Sequence, residues 1–266
     1  MGESIRAAAR EAESTPALRA LARGGFAANG AVHVLIGILI LVVAFGGDGE
    51  SDQAGAFKAV AAAPLGFALL WVLAIALWGL AAWHTLDAFL APGDGAQKWG
   101  RRASEGGQAL VFAALGVIAA SVALGARPDA DESAETASRG VLAIPGGVFL
   151  LGAVGLGIGV AGVAFVVMGV LRSFRKKMSI PSGALGRTVT VLGVVGFVAK
   201  GVALGIIGVL LVVAAVKVDP GAAGGLDAAV QTLLSLPAGP WLAGIVGAGL
   251  IAYGVFCGFR ARYARL

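Results

Sequence analysis

Six long apolar runs, separated by shorter polar segments, dominate this chain. They lie near residues 26–46, 65–86, 108–126, 146–171, 190–216 and 239–259, and only one of them contains a charged residue. A helix needs roughly 20 apolar residues to cross a hydrocarbon core of about 30 Å. Because lipid offers no hydrogen-bond partners to the backbone, runs of this length are expected to be helices. The pattern predicts an all-α integral membrane protein with six transmembrane helices.

The apolar pattern occurs three times. Gly25–Gly37 matches Gly196–Gly208, and a middle copy places Gly116 in register with Gly37 and Gly208. The second run of each copy opens with Pro-x-Gly, at Pro64, Pro145 and Pro237. Internal repetition is a signal about the whole fold. It predicts three two-helix repeats in the same orientation, related by a pseudo-threefold axis along the membrane normal.

The boundaries of the repeats follow from this alignment. We assign an N-terminal tail to 1–24, the repeats to 25–92, 93–178 and 179–262, and a C-terminal tail to 263–266. Before each Pro-x-Gly, apolar positions recur at helical spacing, in segments 54–63, 135–144 and 227–236. These segments predict short amphipathic helices lying at the outer face of the membrane.

The charges predict an orientation. Only 13% of the residues are charged, against about one quarter in soluble proteins. Fifteen of the 20 basic residues lie in the two termini and in the second and fourth connections between spans. Nine of the 15 acidic residues lie in the other three connections. The positive-inside rule therefore predicts that both termini are cytoplasmic. The net charge of +5 follows from this topology and does not require a nucleic-acid partner.

Basic residues at the ends of the spans are candidate contacts for the bilayer. Cations at a membrane surface attract anionic lipid headgroups, at about 1 kcal/mol for each charge. The candidates are Arg101, Arg102, Arg172, Arg175, Lys176 and Lys177. A membrane-protein partner or a homo-oligomer is equally compatible with the many small residues, which allow helices to approach closely.

One polar residue recurs in the first span of each repeat. In register, Asn29 corresponds to Gln108 and to Lys200. Polar groups inside a membrane are by default candidates for a functional site. A ring of these three side chains around the axis would bind an anion or a lipid phosphate, or organise water. The simpler alternative is that Lys200 extends to the headgroups while the two amides bond neighbouring helices.

Both histidines, His33 and His84, belong to the first repeat. His33 lies one turn from Asn29, and His84 shares a helix face with Asp87. The pair would suit a haem or a metal between helices, with Asp87 orienting His84, or the transfer of protons. The alternative places His84 in an interfacial aromatic belt. We nevertheless expect no cofactor and no metal site, with haem as the alternative, and the single cysteine, Cys257, cannot form a disulfide within the chain.

The repeat pattern resembles the bacterial membrane family catalogued as domain of unknown function 1206. The resemblance is strongest in Gly25–Gly37, Gly196–Gly208, 237–241 and 252–254. The second repeat departs from the pattern, because it has Glu105 where the other two repeats have Phe26 and Phe197. It implies a bacterial inner membrane but no reaction. We therefore expect a non-enzymatic scaffold, accessory or lipid-interacting protein. The alternatives are a small transporter or channel with a path along the axis, and a haem or metal redox protein.

Overall fold

A computed structural model of the protein describes residues 15–91 and 94–265. Within these ranges the chain is helical and contains no extended strand, which confirms the all-α prediction. Most of the predicted N-terminal tail, the boundary between the first two repeats at 92–93 and Leu266 lie outside the described residues.

Within the described ranges, six helices have the length and apolar composition to cross a membrane, as predicted. They are α1 (Pro16–Ala44), α3 (Gly66–Leu90), α4 (Gly95–Ala123), α6 (Gly147–Val170), α7 (Gly183–Lys217) and α9 (Gly239–Tyr263). The shortest, α6, has 24 residues. At about 1.5 Å per residue it is roughly 36 Å long, which exceeds the hydrocarbon thickness of about 30 Å.

Each repeat has one short helix before its second span, close to the predicted position. These helices are α2 (Gln53–Ala61), α5 (Ala130–Leu142) and α8 (Leu226–Leu234). Two 3-10 turns, Ser173–Lys177 and Pro220–Ala222, complete the described elements. We call the end of the bundle that carries the short helices the short-helix end. The opposite end, with Thr15, Arg172–Lys177 and Arg265, is called the basic end.

The Pro-x-Gly motif makes the turn between each short helix and the following span. Its middle residue has a left-handed backbone conformation in all three copies, with φ of 64° at Leu65, 78° at Gly146 and 60° at Ala238. The motif glycine then lies against the end of the preceding short helix. A Cβ on Gly66 would collide with the carbonyl of Val60, and the other two copies have the equivalent contact. The motif therefore encodes a sharp reversal that a larger residue would block.

The spans pack mainly between repeats. The second span of each repeat packs most extensively against the first span of the next: α3 against α4, α6 against α7, and α9 against α1. Further contacts join α1 to α3 and α7 to α9. The two spans of the second repeat, α4 and α6, make at most marginal contact along their described residues. The ring of helices is therefore open between α4 and α6.

Glycines allow the closest of these contacts. In the α1–α9 pair, Gly30 faces Gly254 and Gly37 faces Gly247. In the α6–α7 pair, Gly201 faces Gly162 and Gly208 faces Gly155, at the register-equivalent positions. The third equivalent, Gly116 on α4, lies against Trp78 of α3. This recurrence supports the pseudo-threefold arrangement, which stays a prediction.

Carboxylates tie the short helices together at the short-helix end. The backbone N–H and the hydroxyl of Ser51 both donate to Asp227 Oδ1, at 2.9 and 2.5 Å. The N–H of Gly225, just before α8, donates to Asp131 at 2.6 Å. Each bond joins different repeats, so the third repeat's short helix is fastened to the other two.

The buried carboxyl of Asp52 makes this end sensitive to pH. Burial raises the pKa of Asp52, as do the carboxylates of Glu50, Asp227 and Asp131, while the hydrogen bond from the Gly55 N–H lowers it. A raised pKa means that the folded state binds the proton more tightly. The contribution of Asp52 to stability is therefore greatest at low pH and is lost as the pH rises from about 4 through the folded-state pKa.

We expect Asp52→Asn to melt at a higher temperature than the wild type at neutral pH. Asparagine retains an oxygen to cap α2 and carries no charge. The advantage should shrink as the pH falls towards about 4, where the aspartate is itself protonated. Melting curves of both proteins in detergent across this range would show it. A difference that does not vary with pH would contradict the assignment.

Candidate functional site

The predicted polar ring is only partly formed. Asn29 and Lys200 meet at α9, where Asn29 Nδ2 lies 3.5 Å from Cys257 Sγ and Lys200 Nζ lies 3.5 Å from Tyr253 Oη. Gln108 instead bonds the Ser104 carbonyl and Glu105, both on its own helix. It remains separate because α4 packs against α3 and not against α7 or α9.

His33 belongs to the same cluster as Asn29 and Lys200. It is buried, its Nδ1 lies 2.8 Å from the Asn29 carbonyl oxygen, and its ring centroid lies 4.8 Å from that of Tyr253. Because a carbonyl only accepts, Nδ1 is the protonated nitrogen and Nε2 is the acceptor in the neutral ring. We call His33, Asn29, Lys200, Tyr253 and Cys257 the axial cluster.

A cavity of about 90 Å³ adjoins the axial cluster. Its lining includes His33 and Lys200, and it extends to Gln53 of α2 and Leu226 of α8 at the short-helix end. The remaining lining residues are apolar: Ile36, Ala203, Leu204, Ile207 and Leu250. This axial cavity is large enough for several water molecules.

His84 occupies a different cluster, near the basic end. Its Nδ1 lies 2.7 Å from Glu105 Oε2, and its ring stacks on Phe112 with centroids 5.4 Å apart. Lys177 Nζ lies 3.0 Å from the other oxygen of Glu105. Since Lys177 follows α6 and Glu105 lies on α4, this ion pair bridges the opening between the two helices at the basic end.

The acid that bonds His84 is therefore Glu105, and Asp87 lies close by. One ligand atom from each of His84, Asp87 and Glu105 lies within 4.8 Å of the others, an arrangement able to hold a divalent cation. However, the Lys177 ammonium already compensates Glu105. The sequence did carry a signal for this cluster, because Glu105 replaces the phenylalanine found in both other repeats.

The two histidines do not fit a shared haem. The His84 ring meets the edge of Phe26, with centroids 6.3 Å apart. His33 lies seven residues further along α1, about 10 Å away along the helix axis. A haem iron with two histidine ligands needs both rings within bonding distance of one atom. The structure instead places His33 in the axial cluster and His84 beside Glu105.

A groove lies at the basic end, between the turn Ser173–Lys177 and the start of α7. Its volume is about 460 Å³, and we call it the basic groove. Its lining residues are Arg172, Arg175, Pro181, Ser182, Gly183, Gly186, Arg187, Thr190, Val191, Val194 and Val195. The described lining thus combines three guanidinium groups and no carboxylate with an apolar side formed by valines.

An aromatic anchor positions the arginines of the groove. Phe174, in the middle of the turn, is buried; it stacks on Phe197 with centroids 5.2 Å apart and meets Phe256 edge-on at 5.0 Å. Gly193 leaves room for its ring, because a Cβ there would lie 2.5 Å from Phe174 Cζ. The turn is therefore fixed to α7 and α9, with Arg172 and Arg175 on either side of the anchor.

The six predicted headgroup contacts lie in different surroundings. Arg172 and Arg175 line the groove together with Arg187, which the prediction had left out. Lys177 pairs with Glu105, and Arg102 lies over Trp99 at 5.4 Å. Arg101 and Lys176 are exposed at the same end of the bundle. Sequence position alone could not show that Arg187, ten residues after Lys177, faces the same groove.

Helical content, six apolar spans and a repeated hairpin define a multi-pass membrane protein. The model of the family described as Domain of Unknown Function (DUF1206) matches residues 24–91, 106–172 and 195–264, and the chain belongs to this family. Each matched segment contains most of one long helix and the whole of the next, which confirms the threefold repetition.

A curated relative has similar length. The chain is 28% identical over 261 residues to "Uncharacterized protein YxxB" of Bacillus subtilis (strain 168), which covers 96% of this chain and 94% of the relative. No solved structure matches the chain.

Proposed function

We propose that this protein is a membrane component without a reaction of its own that binds an anionic phospholipid in the basic groove. The basic end then faces the cytoplasm of a bacterial inner membrane, with both termini on that side. The observation that carries the proposal is the combination of Arg172, Arg175 and Arg187 with an apolar valine side in one groove.

The chemistry of the groove suits a phospholipid better than a soluble anion. Guanidinium groups bind phosphate through paired, charge-assisted hydrogen bonds. Val191, Val194 and Val195 continue from the arginines along α7, a spanning helix, and give an acyl chain an apolar surface. Orientation agrees with this, since anionic lipids concentrate in the cytoplasmic leaflet, where positive-inside topology places the arginines.

Native mass spectrometry of the protein in mild detergent tests the proposal. We expect the wild type to retain phosphatidylglycerol in preference to phosphatidylcholine. The triple variant Arg172→Gln, Arg175→Gln, Arg187→Gln should bind phosphatidylglycerol about 100-fold more weakly, since each charge contributes about 1 kcal/mol.

A second triple variant supplies a control with the same loss of charge. Lys98→Gln, Arg101→Gln, Lys176→Gln removes three cations from the basic end and leaves the groove lining intact. It should retain nearly all the lipid affinity. Equal loss of lipid in both triple variants would show that net charge, and not the groove, attracts the lipid.

The axial cavity supports a second candidate, a transporter or channel for a small solute. The cavity lies between the axial cluster and the short helices, where a path along the predicted axis would run. Flux of a small solute through reconstituted vesicles, abolished when the axial cluster is altered, would support this candidate. Unaltered flux in such a variant would exclude a path past Lys200.

A further inference from the structure

Lys200 holds a positive charge inside the bundle without a carboxylate partner. Its Nζ lies 4.5 Å from the centroid of the Tyr253 ring and 5.2 Å from that of Phe165. The hydroxyl of Tyr253, 3.5 Å away, accepts one hydrogen bond. In residues 15–91 and 94–265 no Asp or Glu lies within ion-pair distance of it. An ammonium group has three donors, so two lack an acceptor among the described residues.

The surroundings add positive charge and no described negative charge. Arg260, on α9, lies over the Phe26 ring at 4.2 Å, on the same helix as Tyr253. His33 is neutral or positive and supplies no anion. Aromatic faces attract a cation, but such contacts are weaker than an ion pair. Withdrawing a charge from water is costly unless an opposite charge accompanies it.

The axial cavity offers space for that opposite charge. Lys200 lines it directly, and at about 90 Å³ it accommodates a small ion but not a phospholipid headgroup with its chains. Among the residues named in its lining, Gln53 supplies a further side-chain N–H donor, since the N–H of His33 already donates to the Asn29 carbonyl. The neutral His33 presents only an acceptor at Nε2, so binding would depend on Lys200.

We propose that the axial cavity binds a small monovalent anion of the size of chloride, held by the Lys200 ammonium. This site is separate from the basic groove, because no residue lines both. The proposal does not rest on the lipid function and is tested independently of it.

The linewidth of the chloride NMR signal reports binding without knowledge of a natural ligand. Chloride is titrated into the full-length protein in detergent and a chloride-free gluconate buffer. We expect saturable broadening with the wild type. Lys200→Met should weaken the affinity about tenfold or more, as expected when a charge-assisted hydrogen bond is lost, and Lys200→Arg should restore most of it.

Two further variants make the result specific. Lys217→Met removes an exposed lysine from the C-terminal end of the same helix, 17 residues after Lys200, and should bind chloride like the wild type. The groove triple variant should also bind chloride normally, even where it has lost phosphatidylglycerol. Melting curves establish that each variant is folded, and Lys200→Gln, which also removes the charge, replaces Lys200→Met if the methionine variant does not fold.

Two outcomes would overturn the proposal. The first is no saturable broadening with the wild type up to the highest chloride concentration, which would show that the aromatic rings and Tyr253 suffice for the ammonium. The second is equal broadening with Lys200→Met and with the wild type, which would place any bound chloride elsewhere.

Discussion

Replacing Gly254 by valine is expected to separate α9 from α1 and to lower the melting temperature by roughly 10 °C. A Cβ at Gly254 would lie 2.5 Å from the Gly30 carbonyl oxygen and 2.8 Å from the Val34 nitrogen. Both of these neighbours are backbone atoms of α1, so rotation of the nearby Val34 side chain cannot relieve the clash. Overpacking costs about 3 kcal/mol or more at such a site, and each kcal/mol lowers the melting temperature by about 2–4 °C.

Gly157→Val is the matched control for this change. Gly157 is also in a spanning helix, α6, but nothing lies within 4 Å of the position its Cβ would take. The same loss of glycine flexibility applies to both variants, and only Gly254→Val creates a clash. Melting curves in detergent measure the difference. Equal melting temperatures for the two variants would show that α1 and α9 are not packed through these glycines.

Replacing Asp227 by leucine is expected to destabilise the short-helix end by about 3 kcal/mol. The change leaves the N–H and the hydroxyl of Ser51 without their acceptor, and Ser51 is fully buried. Each buried donor without a partner costs about 1–3 kcal/mol. Since Ser51 precedes α2 and Asp227 lies on α8, the loss frees the short helices of the first and third repeats from each other.

Asp227→Asn separates the hydrogen bonds from the charge. Its amide oxygen accepts from the same two donors, and it removes repulsion from Asp52 and Asp131, so we expect it to melt near or above the wild type. Asp48→Leu, at an exposed position near Ser51, should have little effect. Thermal unfolding of the three variants at neutral pH measures this order. A melting temperature as low for Asp227→Asn as for Asp227→Leu would contradict this order.

The spans and short helices could be predicted because their signals are local. Each apolar run and each Pro-x-Gly is visible within about 25 residues of sequence. The order of packing could not be predicted in this way. It depends on which glycine faces the backbone of which neighbouring helix. The glycines in contact are seven residues apart, as Gly30 and Gly37 are. In a glycine-rich chain, pairs of glycines four residues apart are noticed first.

The axial cluster, too, could be predicted only in part from the sequence. Aligning the repeats singled out Asn29 and Lys200, because each interrupts an apolar run at the same position. It could not identify Tyr253 or Cys257 as their partners, since these residues lie in another span. It also grouped Gln108 with them, although α4 packs away from α7. Register specifies depth in the membrane, and helix packing decides which side chains meet.

The most direct test of the lipid-binding account is a cryo-electron microscopy structure of the protein in nanodiscs of phosphatidylglycerol. We predict a phosphate in contact with Arg172, Arg175 and Arg187, and an acyl chain running along Val191 and Val195. A basic groove that holds only water in this purely anionic bilayer would contradict the proposed function.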